Sequence, residues 1–459
     1  MTPVPGLVVA ATGSGRGKTS LAVGLMAALG RRGLRVQAFK AGPDFIDPAH
    51  HARATGRVSH NLDTWMLTET SVRELFARYA AHADVVVVEG VMGLFDGFSG
   101  RDDAGSTAHL AKLLGLPVLL AVDARGMGRS VAALVGGFAG FDPGLTLCGV
   151  VLNQVGGPGH REILAEALAD APGVPVLGWL PRDPGLAMPA RHLGLVDPAE
   201  AADPEAWVAA LADAVESGLD VDRLLAGLPR HDLPDPVPAP APRPVARLGV
   251  ARDAAFRFYY EENLRLLAQA GADIAPFSPL ADAALPADLD GLYLGGGYPE
   301  LFAAKLAENT AMRRAVAAFA ASGRTVYAEC GGFMYLMDSI TDTSGQSFPM
   351  AGVFPFAATM GKRFAALGYR EARTTAPTLL GPAGTVIRGH EFHYSSRVGD
   401  PAGVEPAYAL SGRAGPLPGP EGFRIGNVLG SYVHLHFASN PDVARSFVSA
   451  MARSRTTHG

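Results

Sequence analysis

The chain is 459 residues long with 48% hydrophobic residues, enough to bury a large core and long enough that two or three domains are expected. A formal net charge of -5 supplies no general basic field for nucleic acid, and two cysteines, Cys148 and Cys330, cannot build a disulfide framework, which fits a reducing compartment. No apolar run is long enough to span a bilayer, and the short N-terminal one lacks a positive n-region, so no membrane partner, no signal peptide and a cytoplasmic location are expected.

The apolar run Leu7 to Ala11 reads as a strand, and Ser20 to Gly30 reads as a helix. Between them lies Thr12-Gly13-Ser14-Gly15-Arg16-Gly17-Lys18-Thr19. Glycines let consecutive N–H groups turn toward one anion, the helix N-terminus adds positive potential, Lys18 reaches terminal phosphates and the Thr19 hydroxyl can hold Mg²⁺. ATP is therefore expected on Gly13, Gly15, Gly17, Lys18 and Thr19. Thr12 replaces the usual first glycine, so the loop is an atypical member of its class.

Further strands are expected at Leu34–Lys40, Asp84–Gly90, Pro117–Val122 and Leu147–Leu152, with helical patterns such as Glu162–Ala171 between them. Continuous Val runs suit a parallel sheet covered on both faces, and the alternation predicts a doubly wound α/β domain with its chemistry at the carboxyl ends of the strands. Acids collect at those ends: Asp44 and Asp47 after the second strand, Glu89 closing the third, and Asp96 just beyond it. Each alone reads as a cap or turn residue, but behind a phosphate loop they favour Mg²⁺-assisted phosphoryl transfer, with Thr19, Asp44 and Glu89 at the metal. Asn153, at a strand end, can read a nucleobase edge or serve as a turn residue.

From Leu233 to Pro244 nearly every second residue is proline, the signature of an extended spacer. This divides the chain into residues 1–232, a linker at 233–245, and residues 246–459. In the second part a strand is expected at Arg247–Ala251 and a helical pattern over Phe256–Leu264. Gly291–Leu294 leads into Gly295-Gly296-Gly297-Tyr298-Pro299-Glu300, a turn whose N–H groups can meet an oxyanion. Arg324–Ala328 reads as a strand, Glu329-Cys330-Gly331-Gly332 as a sharp turn and Phe333–Leu336 as the start of a helix, the context of a nucleophile elbow in which a helix N-terminus favours the thiolate. Base candidates lie in two stretches, Gly389-His390-Glu391-Phe392-His393-Tyr394 and Gly430-Ser431-Tyr432-Val433-His434-Leu435-His436-Phe437. Spacing does not choose among these histidines. Neither stretch has the His-Glu-x-x-His spacing of a zinc site, and two cysteines are too few for one.

These motifs, with Asn61-Leu62-Asp63, Pro181-Arg182-Asp183 and Arg191-His192-Leu193-Gly194-Leu195, resemble the cobyrinic acid and hydrogenobyrinic acid a,c-diamide synthases, glutamine-dependent amidotransferases of corrinoid biosynthesis. The resemblance covers nearly the whole chain. It implies a P-loop dethiobiotin synthetase-like N-terminal domain joined to a class I glutaminase-like α/β C-terminal domain. It also implies Cys330 as nucleophile, His434 as its histidine, and Gly296, Gly297 and Gly331 at the oxyanion. Asp47 and Asp96 would lie at the ligase site, Asp47 near the substrate carboxylate. The position two beyond the histidine, usually Glu in class I glutaminases, is His436, which leaves the third, orienting group unassigned. The partners implied are glutamine and a corrin-type tetrapyrrole polycarboxylate, with ATP and Mg²⁺; no nucleic acid is expected, and a homodimer is one assembly this admits. Other readings are cobyric acid synthase, nickel-sirohydrochlorin a,c-diamide synthase, or a regulatory P-loop ATPase with an inactive glutaminase-like domain.

Overall fold

The computed structural model describes residues 3–169, 173–187, 190–191, 194–195, 203–232 and 242–458. Residues 233–241 of the proline-rich stretch and His192-Leu193 of the Arg191–Leu195 motif lie outside them. The chain divides into two compact units, Met1–Pro238 and Ala239–Gly459.

The first unit is built on seven strands: β1 (Pro3–Ala11), β2 (Val36–Ala41), β3 (His60–Leu62), β4 (Val85–Glu89), β5 (Val118–Asp123), β6 (Leu147–Val155) and β7 (Val176–Pro181). They pair in the order 3-2-4-1-5-6-7, all parallel, and Arg230–Asp232 adds antiparallel to β1. Every residue of β2, β4 and β5 is buried, as expected for strands covered on both faces. Helix α1 (Lys18–Arg31) starts from the phosphate loop and packs along Pro204–Gly218. The central β1 is flanked by β4 and β5, which places a crevice at its carboxyl end, where the loop sits.

The second unit carries a mixed sheet of eleven strands. One half is parallel and runs Ala272–Phe277, Ala246–Ala251, Gly291–Leu294, Thr325–Glu329, Val428–Ser431. The other half is antiparallel, through Glu421–Ile425, Glu405–Gly412, Ala366–Thr374 and Val386–His393 to His434–Leu435. The chain therefore leaves one strand at Ser431 and, after Tyr432 and Val433, forms the far end of the same sheet. That curl brings the His434 backbone opposite His390.

One expected element differs. The helix begins at Glu261, not Phe256. Asp253 accepts the N–H of Ala255 at 2.8 Å in a side-chain turn, and Phe258 pairs with Gly296 through N–H to O contacts of 3.0 and 3.2 Å, so this backbone is committed to sheet-like bonds.

Candidate functional site

The phosphate loop turns at Gly15 (φ 70°) and Gly17 (φ 86°), a left-handed backbone that glycine adopts without a Cβ penalty. A Cβ on Gly17 would lie 2.0 Å from Asn153 Nδ2, so the loop and the end of β6 touch only through a glycine. Asn153 Nδ2 donates to Arg16 O at 3.1 Å. Asp123, at the end of β5, accepts from Arg16 Nη1 at 3.1 Å and Arg125 Nη2 at 2.6 Å. A cavity of roughly 500 Å³ opens over the loop, lined among others by Lys18, Thr19, Lys40, Asp44, Asp47 and Asn153.

At its floor lies a buried charge cluster. Lys40 and Glu89 are register partners at the carboxyl ends of β2 and β4. Lys40 Nζ is 3.1 Å from Glu89 Oε1, 2.6 Å from Asp47 Oδ2 and donates to Gly90 O at 2.9 Å. Thr19 Oγ1 donates to Glu89 Oε1 at 2.6 Å, and His51 Nε2 lies 2.7 Å from Glu89 Oε2. Burial works against the Glu89 charge, but Lys40 and the His51 hydrogen bond outweigh it and hold the carboxyl well below its ordinary range. Burial likewise opposes the Lys40 charge and is outweighed by Asp47 and Glu89, which keep the ammonium protonated. Asp47 is pushed well up by burial and by Asp44 and Glu89, and its Oδ1 has no hydrogen-bond partner among the described residues. Lys18 donates to Met92 O at 3.2 Å; burial and the Lys40 charge lower its pKa.

Two of the expected residues stand apart. Gly13 packs against the Gly93–Asp96 turn, since a Cβ on Gly93 would sit 3.3 Å from Gly13 Cα. Asp96 Oδ2 accepts the Gly93 N–H at 2.9 Å, and the residue is not brought into the cavity wall with Asp44 and Asp47.

In the second unit Cys330 has φ 46° and ψ -105°, a strained elbow between the strand ending at Glu329 and the short helix Gly331–Leu336. Its N–H donates to Ser431 O at 2.7 Å. Burial and the Glu300 charge raise the thiol pKa, against the pull of the Gly331 N–H. The Gly331 N–H at the start of the six-residue helix pulls toward the thiolate, as expected, but burial outweighs it.

The oxyanion candidates meet beside this thiol. A Cβ on Gly331 would lie 3.0 Å from Gly297 N, and one on Gly296 would lie 2.3 Å from His434 Cε1. His434 is buried, and burial, with a smaller contribution from His393, lowers it to about 3, so its imidazole is neutral. Its ring stacks on His390 at 4.9 Å and 17°, and His390 Nδ1 lies 2.8 Å from Tyr260 Oη. His436 accepts the Ala438 N–H at 3.3 Å and packs on Tyr260. His393 lies against Tyr432 at 4.0 Å, and Glu391 pairs with Arg370.

Residues 7–196 match the model of the CobQ/CobB/MinD/ParA nucleotide binding domain, and residues 247–442 match that of the CobB/CobQ-like glutamine amidotransferase domain. A cobyrinate a,c-diamide synthase of Syntrophotalea carbinolica is 50% identical over 456 residues, covering 97% of this chain and 98% of its own length. The chain belongs to the cobyrinate a,c-diamide synthase family. A cobyrinate a,c-diamide synthase of Dehalococcoides mccartyi is 43% identical over 97% of both chains. A hydrogenobyrinate a,c-diamide synthase of Streptomyces coelicolor is 44% identical over 99% of this chain and 98% of its own.

The Lys40–Glu89–His51 cluster and the surroundings of Glu329 are not written in the sequence as motifs. Lys40 had a signal, since it ends the second strand where Glu89 ends its neighbour. His51 had none, because a histidine inside a helix reads as core until a partner is placed opposite it. Among the described residues no group of three His, Cys, Asp or Glu side chains is arranged to hold a metal by itself, and no helix is long and apolar enough to cross a membrane.

Proposed function

We propose that this chain performs ATP- and glutamine-dependent amidation of the a and c acetate carboxylates of cobyrinic or hydrogenobyrinic acid, in cobalamin biosynthesis. The observation that carries the reading is one chain holding a phosphate loop at a cavity lined by Lys18, Lys40, Asp44 and Asp47, and a strained Cys330 elbow that shares the Gly296-Gly297 turn with His434. Residues 1–232 are the amidoligase and residues 246–459 the glutaminase, joined by the linker at 233–245.

In the glutaminase half Cys330 and His434 are both neutral at rest. The thiol proton passes to the imidazole as Sγ attacks the side-chain amide carbon of glutamine. The N–H groups around Gly296, Gly297 and Gly331 receive the oxyanion. The imidazolium returns the proton to the leaving nitrogen, ammonia departs, and water cleaves the thioester to glutamate. In the ligase half Gly15, Gly17, Lys18 and Thr19 hold the ATP phosphates, Gly13 leads the chain into their loop, and Asn153 faces the base. The γ-phosphoryl group moves to the substrate carboxylate beside Asp47, and ammonia displaces phosphate from the acyl phosphate. Each cycle consumes one ATP and one glutamine, and two cycles give the diamide.

The hydroxyl of Thr19 and the carboxylate of Asp44 line the cavity, and the carboxylate of Glu89 lies buried behind them, accepting from Thr19; these are hard oxygen donors of the kind Mg²⁺ takes, and the ion when bound would neutralise phosphate charge. The reading places the enzyme in the cytoplasm with no nucleic-acid or membrane partner; a homodimer is the assembly to look for by light scattering. The deciding assay offers cobyrinic acid and hydrogenobyrinic acid in parallel with ATP, Mg²⁺ and glutamine, and weighs the products. Two hydroxyl-to-amide exchanges on one of them are expected; no amidation of either moves the substrate to another carboxylate. Cys330→Ser should abolish amidation from glutamine and retain it from ammonium, and glutamine hydrolysis that survives this change would remove Cys330 from its role.

A further inference from the structure

The glutaminase unit contains a buried carboxylate that the chemistry above does not use. Glu329 precedes Cys330 directly and is 2% exposed. Its Oε1 accepts from Tyr327 Oη at 2.7 Å and from the Leu435 N–H at 2.9 Å, and its Oε2 accepts from Tyr293 Oη at 2.8 Å. Leu435 follows His434. One side chain thus bonds the residue next to the base while its own backbone leads into the nucleophile.

We propose that Glu329 is a positioning residue for glutamine hydrolysis, whose carboxylate holds the His434 segment against the strand that ends at Cys330. The inference rests on the roles assigned above to Cys330 and His434. Burying a carboxylate is costly, and an apolar residue of similar size packs such a site at less cost. Here three donors converge on it, one of them a backbone N–H that cannot turn away. The tie matters because His434 sits on a two-residue strand at the end of the curled sheet, whose other bonds are its pairing with Gly389-His390, the Asn263 Nδ2 donation to Leu435 O at 2.7 Å and the His436 N–H to Arg388 O at 2.9 Å, none of which reaches the strand that ends at Cys330.

Burial raises the Glu329 carboxyl to about 7, against the Leu435, Tyr327 and Tyr293 hydrogen bonds. The groups facing it are Tyr259 from the turn before Glu261, Tyr293 and Tyr327 from their strands, Tyr408 from Glu405–Gly412, and Cys330. All five stay protonated at neutral pH, and His434 on the tied segment is neutral there. A proton gained by Glu329 turns one acceptor oxygen into a donor and removes one of the three bonds.

The test is the pH profile of kcat for glutamine hydrolysis in the full chain. Wild type should lose activity as pH falls through about 7. Glu329→Gln should lower kcat about 10- to 100-fold with little change in the KM for glutamine, should flatten that acid limb, and should leave ammonium-driven amidation unchanged. Tyr327→Phe keeps the carboxylate but removes a donor to its charged form, so its acid limb should move to higher pH; it supplies the answer if the Gln variant fails to fold. A Glu329→Gln enzyme with wild-type kcat, or a slower one whose acid limb stays where wild type has it, would overturn the proposal. Cys330→Ser run alongside separates the two readings, because glutamine hydrolysis surviving in that variant removes the nucleophile itself rather than its positioning.

Discussion

Lys18 is the residue whose role is most separable. It lies in the wall of the phosphate-loop cavity, with Lys40 and Glu89 behind it and burial working against its charge, so its ammonium gains most when polyphosphate arrives. Lys18→Met should therefore reduce amidation about 10²- to 10³-fold, the usual cost of removing one charge-stabilising donor, whether glutamine or ammonium supplies the nitrogen. Glutamine hydrolysis should persist, measured as glutamate release. If both activities fell together, the lesion would be in folding and not in the phosphate site. Both Lys18 and Cys330 were legible in the sequence, because each sits in a short strand-turn-helix pattern that its neighbours define. Glu329 was visible only as part of a turn, since nothing adjacent says that Leu435 and two tyrosines converge on it.

At the scale of elements, the glutaminase site depends on how Val386–His393 meets His434–Leu435. Gly389 opposes Leu435 in that pairing, and a Cβ there would come within 2.0 Å of His434 O. Gly389→Ala forces the two backbones apart, at a cost of about 1–3 kcal/mol, and displaces the base. Glutaminase kcat should fall while ammonium-driven amidation is retained; unchanged glutaminase turnover would show that the strand pair does not set the position of His434. The helical pattern at Phe256–Leu264 failed over its first five residues for a related reason. Phe258 finds its backbone partner in Gly296, 38 residues later in the chain, and that bond outweighs local periodicity.

At the scale of the whole molecule, acid stability follows from which groups are buried neutral. His390, His434 and His436 all have lowered pKa values, mainly through burial, with His434 and His436 at about 3. Below the unfolded value of about 6.5, the unfolded chain takes up protons that the folded one refuses, so stability is lost as pH falls from there toward 3. Glu329 and Glu421, raised mainly by burial, act in the opposite sense: their contribution is present at low pH and lost as pH rises through their folded values. In the second unit, three histidines against two carboxyls leave a net loss on acidification between roughly pH 6.5 and 4.5. Hydrogen exchange of the Val428–Leu435 region in mild urea should quicken over that range. Tryptophan fluorescence reports only on the first unit, since Trp65, Trp179 and Trp207 all lie there. Exchange rates flat to pH 5, after allowing for intrinsic chemistry, would contradict the buried neutral imidazoles.

The sequence by itself determined the two α/β halves, the phosphate loop, the acids at strand ends and the cysteine elbow, because each is written in contiguous residues whose local geometry carries the chemistry. The family resemblance, read from the same motifs, selected His434 among several histidines. Only the tertiary structure decided that Lys40 joins Glu89 and Asp47, that Asp96 turns back on Gly93, and that Glu329 reaches Leu435. Asp96 closes a turn of its own, whereas the partners of Lys40, Glu89 and Glu329 depend on strand register and sheet curl; a shift of one position along a strand would turn each of these three side chains to the opposite face.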